Sequence, residues 1–210
     1  MIRVLVADDH PVVRSGLRQV LSEAKDLSVE GEASSGSEVL ALVASKPFDV
    51  VLLDIKLGDS SGLEVLGQLH RDRPRLPVII LTVYPEEHYA LRAMRAGAAG
   101  FLTKETAPER LIEAVRKCAS GGKYLTPGVA DELATAVVSD HPEAPHRLLS
   151  NRELEILELI GSGKTVGEIA KVLHRSVKTI STHRSRLLGK MQMKNNAELM
   201  RYALKNGLVR

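Results

Sequence analysis

Apolar positions along the first ~120 residues follow two alternating rhythms. Short apolar runs, Val4–Ala7, Val29–Ala33, Val50–Leu53, Val78–Leu81 and Ala99–Leu102, have the length of buried strands. The segments between them carry helical spacing. Pro11 suits a first helical position, and Val13, Leu17, Val20, Leu21 and Ala24 follow on one face. Ser35-Gly36-Ser37-Glu38 reads as a capping box opening a second helix. Gly62–His70 and Glu86–Ala96 continue the series, and Leu111, Ile112, Val115, Cys118 and Ala119 form one apolar stripe. Five strands alternating with five helices predict an α/β domain, a doubly wound five-stranded parallel sheet covered on both faces.

Gly121-Gly122 closes this unit. Lys123–Arg147, with Pro127, Pro142, Pro145 and two histidines, reads as a linker holding one short helix, about Pro127–Val138. The last part is all helical. Ser150–Glu153, Thr165–Glu168 and Asn195–Glu198 are three more capping boxes, and Ser176 can cap a helix between the last two. They predict four helices, Asn151–Ser162, Val166–His174, Val177–Met191 and Asn196–Asn206. The expected division is 1–120, 121–146 and 147–210.

Charge sharpens this division. Residues 1–146 hold 16 Lys+Arg against 21 Asp+Glu, a net −5, whereas residues 147–210 hold 13 against 5, a net +8. Lys171 to Lys194 contains seven basic residues and no acidic one. The basic end points to a polyanion. No apolar run approaches the ~20 residues of a membrane helix, so no membrane partner is expected. A single cysteine, Cys118, forbids an internal disulfide and fits a reducing cytoplasm.

On a parallel sheet the strand ends converge on one edge, where ligands bind. Asp8 and Asp9 follow the first strand, Asp54 the third, Thr82 ends the fourth and Lys104 follows the fifth. Three carboxylates together need a cation, and oxygen-only ligands suit Mg²⁺. A solvated acidic rim explains one such residue, not the set.

Residues 1–119 resemble a response-regulator receiver domain. The resemblance rests on Val4-Leu-Val-Ala-Asp8-Asp9-His10-Pro11, Asp49-Val-Val-Leu-Leu-Asp54, Ile79-Ile-Leu-Thr82 and Gly97-Ala-Ala-Gly-Phe101-Leu-Thr-Lys104. With residues 147–210 the whole chain resembles the NarL/FixJ response regulators, which join a flavodoxin-like receiver to a LuxR-type helix-turn-helix. The resemblance implies that Asp54 accepts a phosphoryl group from a sensor histidine kinase. It implies that Asp9, Asp54 and the Lys56 carbonyl ligate Mg²⁺, Asp8 acting through water. Lys104 and Thr82 would contact the phosphoryl oxygens, and Phe101 takes the place of the family's aromatic switch, here without a hydroxyl. The family usually has proline where Gly58 stands, and some receivers have a cis proline where Glu105 stands. Neither departure removes a chemical group from the site. The implied protein is no enzyme beyond slow self-dephosphorylation.

The basic end supplies the output. At ~100° per residue from Val177, Ile180, Leu187, Leu188 and Met191 fall on one side. Lys178, Ser181, Thr182, Ser185 and Gly189 fall opposite, a small, polar, basic face suited to a major groove of double-stranded DNA. Carrying over the family's base-contacting positions puts them at Ser181, Thr182 and Ser185. Lys178, Arg184, Arg186 and Lys190 are the expected phosphate contacts. Without a long bidentate donor on the central face, direct base readout is expected to be weak. His183 lies nearer the apolar side, and the other histidines lack metal-ligand spacing. The last helix, Asn196–Leu208, carries an apolar stripe, which the family uses for dimerisation and which packing onto its own bundle explains equally well. A homodimer is expected when the protein is phosphorylated or DNA-bound.

Gly161-Ser-Gly-Lys-Thr165 mimics the end of a phosphate-binding loop. Glu158 stands where its first glycine belongs, and the preceding segment is helical, so it reads as a turn with Thr165 as cap. Two rival functions remain. A phosphatase of the haloacid-dehalogenase type wants an acid where Lys56 stands. A receiver that is never phosphorylated needs no complete Asp8, Asp9, Asp54, Thr82 and Lys104 set.

Overall fold

The computed structural model describes residues 1–57, 60–83, 86–106, 108–138 and 144–209. Gly58 lies outside them, as do His141 and Pro142. The chain divides into two compact units, Met1–Ser139 and Asp140–Arg210.

The first unit is the expected parallel sheet. Strands β1 (Ile2–Ala7), β2 (Leu27–Ala33), β3 (Val50–Leu53), β6 (Val78–Thr82) and β7 (Gly100–Thr103) lie in the order β2-β1-β3-β6-β7, all pairs parallel. Strand order reverses between β1 and β3, which opens a crevice at their carboxyl ends. Helices α1 (Pro11–Ser22), α2 (Gly36–Ser45), α3 (Gly62–Asp72), α4 (Glu86–Arg95) and α5 (Pro108–Ala119) supply the crossovers.

Successive residues of a strand face opposite sides, and the strands are buried on both. Val4, Val6, Val50, Leu52, Ile79, Leu81 and Leu102 pack with Leu21 of α1 and with Leu111, Ala114, Val115 and Cys118 of α5. The alternate residues Leu5, Val51, Leu53, Ile80 and Phe101 are equally buried on the opposite face, on which α2 and α4 pack. The apolar stripe of α5 is thus core, and Cys118 belongs to it.

A feature without periodicity escaped the sequence reading. After β3 the chain forms a two-residue strand β4 (Lys56–Leu57), paired antiparallel with β5 (Ser60–Ser61), Lys56 opposite Ser61. This ribbon leads directly into α3, whose amide at Gly62 donates to the Ile55 carbonyl at 2.6 Å. A Cβ on Gly62 would sit 1.9 Å from the Asp54 carbonyl oxygen. Only glycine lets α3 begin so close to the end of β3.

The segment after Gly121-Gly122 is less loose than a linker. Tyr124 bridges to Gly100 as a further parallel pairing, and its amide donates to Ala99. Lys123 Nζ donates to the Ala98 carbonyl at 2.6 Å. Helix α6 (Pro127–Val138) packs against α4, with Val129 buried.

In the second unit a short 3₁₀ turn η1 (Pro145–Leu148) precedes α7 (Asn151–Gly161), α8 (Val166–Val172), α9 (Val177–Met191) and α10 (Asn196–Lys205). Helix α7 is the hub, packing on α8, α9 and α10. Its Leu154, Ile156, Leu157 and Ile160 are buried, as are Ile169, Ile180, Leu187, Leu199 and Ala203 of the helices packed on it. The caps specify where each helix starts. Ser150/Glu153 and Thr165/Glu168 form full reciprocal capping boxes. Ser176 and Asn195 accept from the amides of Thr179 and Glu198. Glu198 and Glu38 reach one residue further back than a box requires, to the amides of Lys194 and Ser34. The resemblance of Gly161–Thr165 to a phosphate loop has a packing origin. A Cβ on Gly161 would stand 2.8 Å from Ala203, so glycine admits α10, and Gly163 makes the turn at φ +83°.

Candidate functional site

The strand-end residues converge. Asp54, at the end of β3, and Asp8, after β1, are 3% and 1% exposed. Lys104, after β7, bridges them. Its Nζ lies 2.7 Å from Asp54 Oδ2 and 2.5 Å from Asp8 Oδ2. The Lys104 amide donates to the Thr82 carbonyl at 2.8 Å, fastening the ends of β6 and β7 together. Thr82 itself is fully buried, and so is Phe101, on the inner surface of β7. Asp9 is partly buried beside Asp8.

The environment sets the charges. Burial pushes the Asp54 carboxyl above the ordinary carboxylate range, against the pull of Lys104 and of the Lys56 amide, and the Asp8 charge adds to the push. Burial also works against the Lys104 ammonium, but the bonds to Asp54 and Asp8 outweigh it and hold Lys104 above its usual value. The cation is therefore firmly charged between carboxylates that repel each other.

That arrangement leaves specific atoms unsatisfied. Among the described residues, Asp54 Oδ1 and Asp9 Oδ1 are buried with no hydrogen-bond partner, although His10 Nδ1 stands 2.6 Å from Asp9 Oδ1 as an ion pair. One donor atom from each of Asp8, Asp9, His10 and Asp54 lies within 4.8 Å of the others. Buried carboxylate oxygens without a hydrogen-bond partner, in a cluster this close, are compatible with a divalent metal site. Sequence reasoning missed three supports. Arg14 Nη1 donates to the Asp8 carbonyl at 2.7 Å, Gly62 admits α3, and His10 turns its ring into the cluster. Only His10 had a signal, its place in the Asp-Asp-His-Pro run.

Helix α9 carries the second set of predicted residues. Ile180, Leu187 and Met191 are buried and Leu188 half-buried, while Lys178, Ser181, Thr182, Ser185, Arg186 and Gly189 are exposed. The helical wheel read from the sequence is the wheel of the structure. The hydroxyls of Thr182 and Ser185 donate to carbonyls four residues back, Lys178 and Ser181, each at 3.0 Å. Two basic residues are engaged within the unit. Arg184 Nε donates to Asn196 Oδ1 at the start of α10. Lys190 Nζ lies 2.7 Å from Glu153 Oε2, on the buried capping glutamate of α7. Burial works against the Glu153 charge, but Lys190 and Ser150 outweigh it and hold its carboxyl below the usual range. His183 is half-buried. Among the described residues, no helix is long and apolar enough to cross a membrane.

Comparison with known proteins assigns both halves. Residues 4–116 match the response regulator receiver domain, and residues 147–203 match the bacterial regulatory proteins of the luxR family. Over 209 residues the chain is 36% identical to the response regulator UvrY of Escherichia coli (strain K12), covering 99% of this chain and 96% of UvrY. Among solved structures it is similar to the response regulator ChrA of a heme-sensing two-component system, at 35% identity and a TM-score of 0.54 over 99% of this chain and 98% of ChrA. It is also similar to RcsB from Salmonella enterica serovar Typhimurium bound to the promoter P1flhDC with a phosphomimetic, at 28% identity and a TM-score of 0.60 over 96% and 97% of the two chains.

Proposed function

The chain belongs to the response regulators that join a receiver domain to a LuxR-type DNA-binding domain, and from that premise we propose that Asp54 is its phosphoacceptor and α9 the helix that reads DNA. The observation carrying the first half is the asymmetry of the Asp54 carboxylate. Lys104 holds Oδ2, whereas Oδ1 is buried without a hydrogen-bond partner among the described residues. Oδ1 is the nucleophile. It attacks the phosphorus of a phosphohistidine on a sensor kinase, the P–O bond forms, and the P–N bond breaks as the imidazole leaves. Asp54 becomes an acyl phosphate.

Asp9, Asp54 and the Lys56 carbonyl, with Asp8 acting through water, would hold Mg²⁺, which would supply positive charge against the phosphoryl oxygens. Lys104 supplies more, its ammonium already positioned on Asp54. The Thr82 hydroxyl donates to a phosphoryl oxygen. Since the Lys104 amide is bonded to the Thr82 carbonyl, any shift of Thr82 is felt at the end of β7. Phe101 responds by repacking alone. Any self-dephosphorylation is slow.

In the second unit Ser181, Thr182 and Ser185 face the bases, and Lys178 and Arg186 face phosphates. Arg184 and Lys190 contact phosphate with the donors left over from Asn196 and Glu153. Direct readout is weak, because these side chains are short and the hydroxyls of Thr182 and Ser185 already donate to their own helix, leaving little of the bidentate code, and DNA shape contributes the rest. Phosphorylation shifts the population toward a paired, DNA-competent form in the cytoplasm.

Incubation with a small phosphodonor and Mg²⁺ tests this. The expected outcome is a mass gain of one phosphoryl group that is absent in Asp54→Asn, with tighter promoter binding. Multiple-turnover hydrolysis of the donor without a stable adduct overturns it.

A further inference from the structure

Helix α9 contains a residue that its own fold does not explain. Gly189 lies inside the helix, one turn before its end at Met191, and is exposed. A Cβ added there would meet no atom within 4 Å, and the backbone is not in the left-handed region. Glycine inside a helix is less stable than alanine, because it loses more backbone freedom on folding. Nor does Gly189 end the helix. The left-handed position that glycine fills best is held by Gln192, at φ 55°, whose amide donates to the Gly189 carbonyl at 3.2 Å. The chain thus has glycine where alanine is better and glutamine where glycine is better. Close packing explains Gly62 and Gly161, and a turn explains Gly163, but neither explains Gly189.

Its place on the helix offers an explanation from outside the chain. Lys178, Thr182, Ser185 and Gly189 follow one another at helical spacing along the exposed face. Their side chains shorten in that order, from lysine to none. The ridge they form is roughly 16 Å long at 1.5 Å per residue, whereas a major groove is ~12 Å wide. With Thr182 and Ser185 at the bases, the last turn therefore stands against the sugar–phosphate wall. Arg186, one turn back and exposed, brings charge to the same wall. We infer that Gly189 is the point where the DNA backbone meets the main chain of α9. The missing side chain lets the helix sit deep enough for two short side chains, Thr182 and Ser185, to come within reach of the base edges. The inference rests on the reading of α9 as the DNA-reading helix and adds a positioning residue that this reading does not contain.

The test uses the full chain with a small phosphodonor and, as probe, duplex DNA that the parent chain selects from a random-sequence pool. Gly189→Ala is expected to slow amide hydrogen exchange in α9 a few-fold, the mark of a firmer helix. The same variant is expected to bind the duplex about fivefold or more weakly at fixed salt, because the added methyl meets the groove wall. Gly189→Lys adds a cation to a basic face, which by charge alone tightens binding and steepens its salt dependence. It is expected to bind more weakly than the parent. Gly16→Ala is the control, since Gly16 is an equally open glycine in α1, and its duplex affinity should match the parent. Parent affinity in Gly189→Ala, tighter binding by Gly189→Lys, or an equal loss in Gly16→Ala overturns the role of Gly189. Weakened binding by Lys178→Ala would in each of those cases leave α9 standing as the reading helix. A parent chain that selects no duplex, or Lys178→Ala and Gly189→Ala both without effect, overturns the reading of α9 and the role of Gly189 with it.

Discussion

At the scale of single residues, the receiver site stores unfavourable electrostatics. Asp54 is raised above its ordinary value by burial. A carboxyl whose folded pKa exceeds its unfolded value is bound more tightly to its proton by the folded state. It therefore costs stability above the folded pKa and ceases to do so as pH falls. Removing that charge isosterically is expected to stabilise the protein. Asp54→Asn should gain about 1 kcal/mol, a rise of a few degrees in Tm, in the presence of chelator. The gain should shrink in Mg²⁺, and a lower Tm in chelator would contradict the picture. The opposite sign holds at two ion pairs away from the site. Asp49, which accepts three hydrogen bonds from Arg3, and Asp26, which accepts two from Arg116, are each lowered to about 2. Such groups add stability above the unfolded carboxyl value of about 4 and lose it as pH falls toward 2. Acid titration of Asp49→Asn should accordingly show a shallower loss of stability across that window than the parent chain.

At the scale of elements, two close approaches position the chemistry. Gly62 lets α3 start against the Asp54 carbonyl. Gly62→Ala is expected to destabilise the receiver by about 2 kcal/mol or more through backbone displacement and to slow phosphoryl uptake. Uptake at the parent rate with unchanged stability would show that the ribbon and α3 move at no cost. Helix α9 is held by a similar device, since Glu153 caps α7 and grips Lys190 at once. Its basic residues should therefore divide into two classes. Lys178→Ala and Arg186→Ala should each reduce the slope of log affinity against log salt by about 1. Lys190→Ala should change that slope less and instead lower the stability of the second unit, because a buried carboxylate loses its cation. Equal slopes for all three variants would refute the division.

At the scale of the whole molecule, the acidic receiver and the basic second unit divide sensing from output. If phosphorylation of Asp54 shifts the population of DNA-competent molecules, the coupling is expected in the usual range of 1–3 kcal/mol, about 5- to 150-fold in promoter affinity. Titration of promoter DNA with and without phosphodonor measures it. Asp54→Asn should bind with the unphosphorylated affinity under both conditions, and a donor effect that survives the substitution would place the acceptor elsewhere.

Much of this was legible from residues whose information is local. Apolar runs between capping residues specified β1, β3, β6, β7 and the four C-terminal helices to within a residue or two. Helical angle alone specified which side of α9 is buried. The convergence of Asp8, Asp54 and Lys104 was also readable, because a parallel sheet brings every strand end to one edge. What the tertiary structure decided depends on atoms from distant segments. The β4–β5 ribbon is too short to have a period. Gly62 and Gly161 matter only because Asp54 and Ala203 approach them. Lys190 reads as an ordinary basic residue until Glu153, 37 positions away, is folded against it. The burial of Asp54, 3% exposed, likewise exists only once β3 pairs with β1 and β6, since burial follows from packing and not from spacing along the chain.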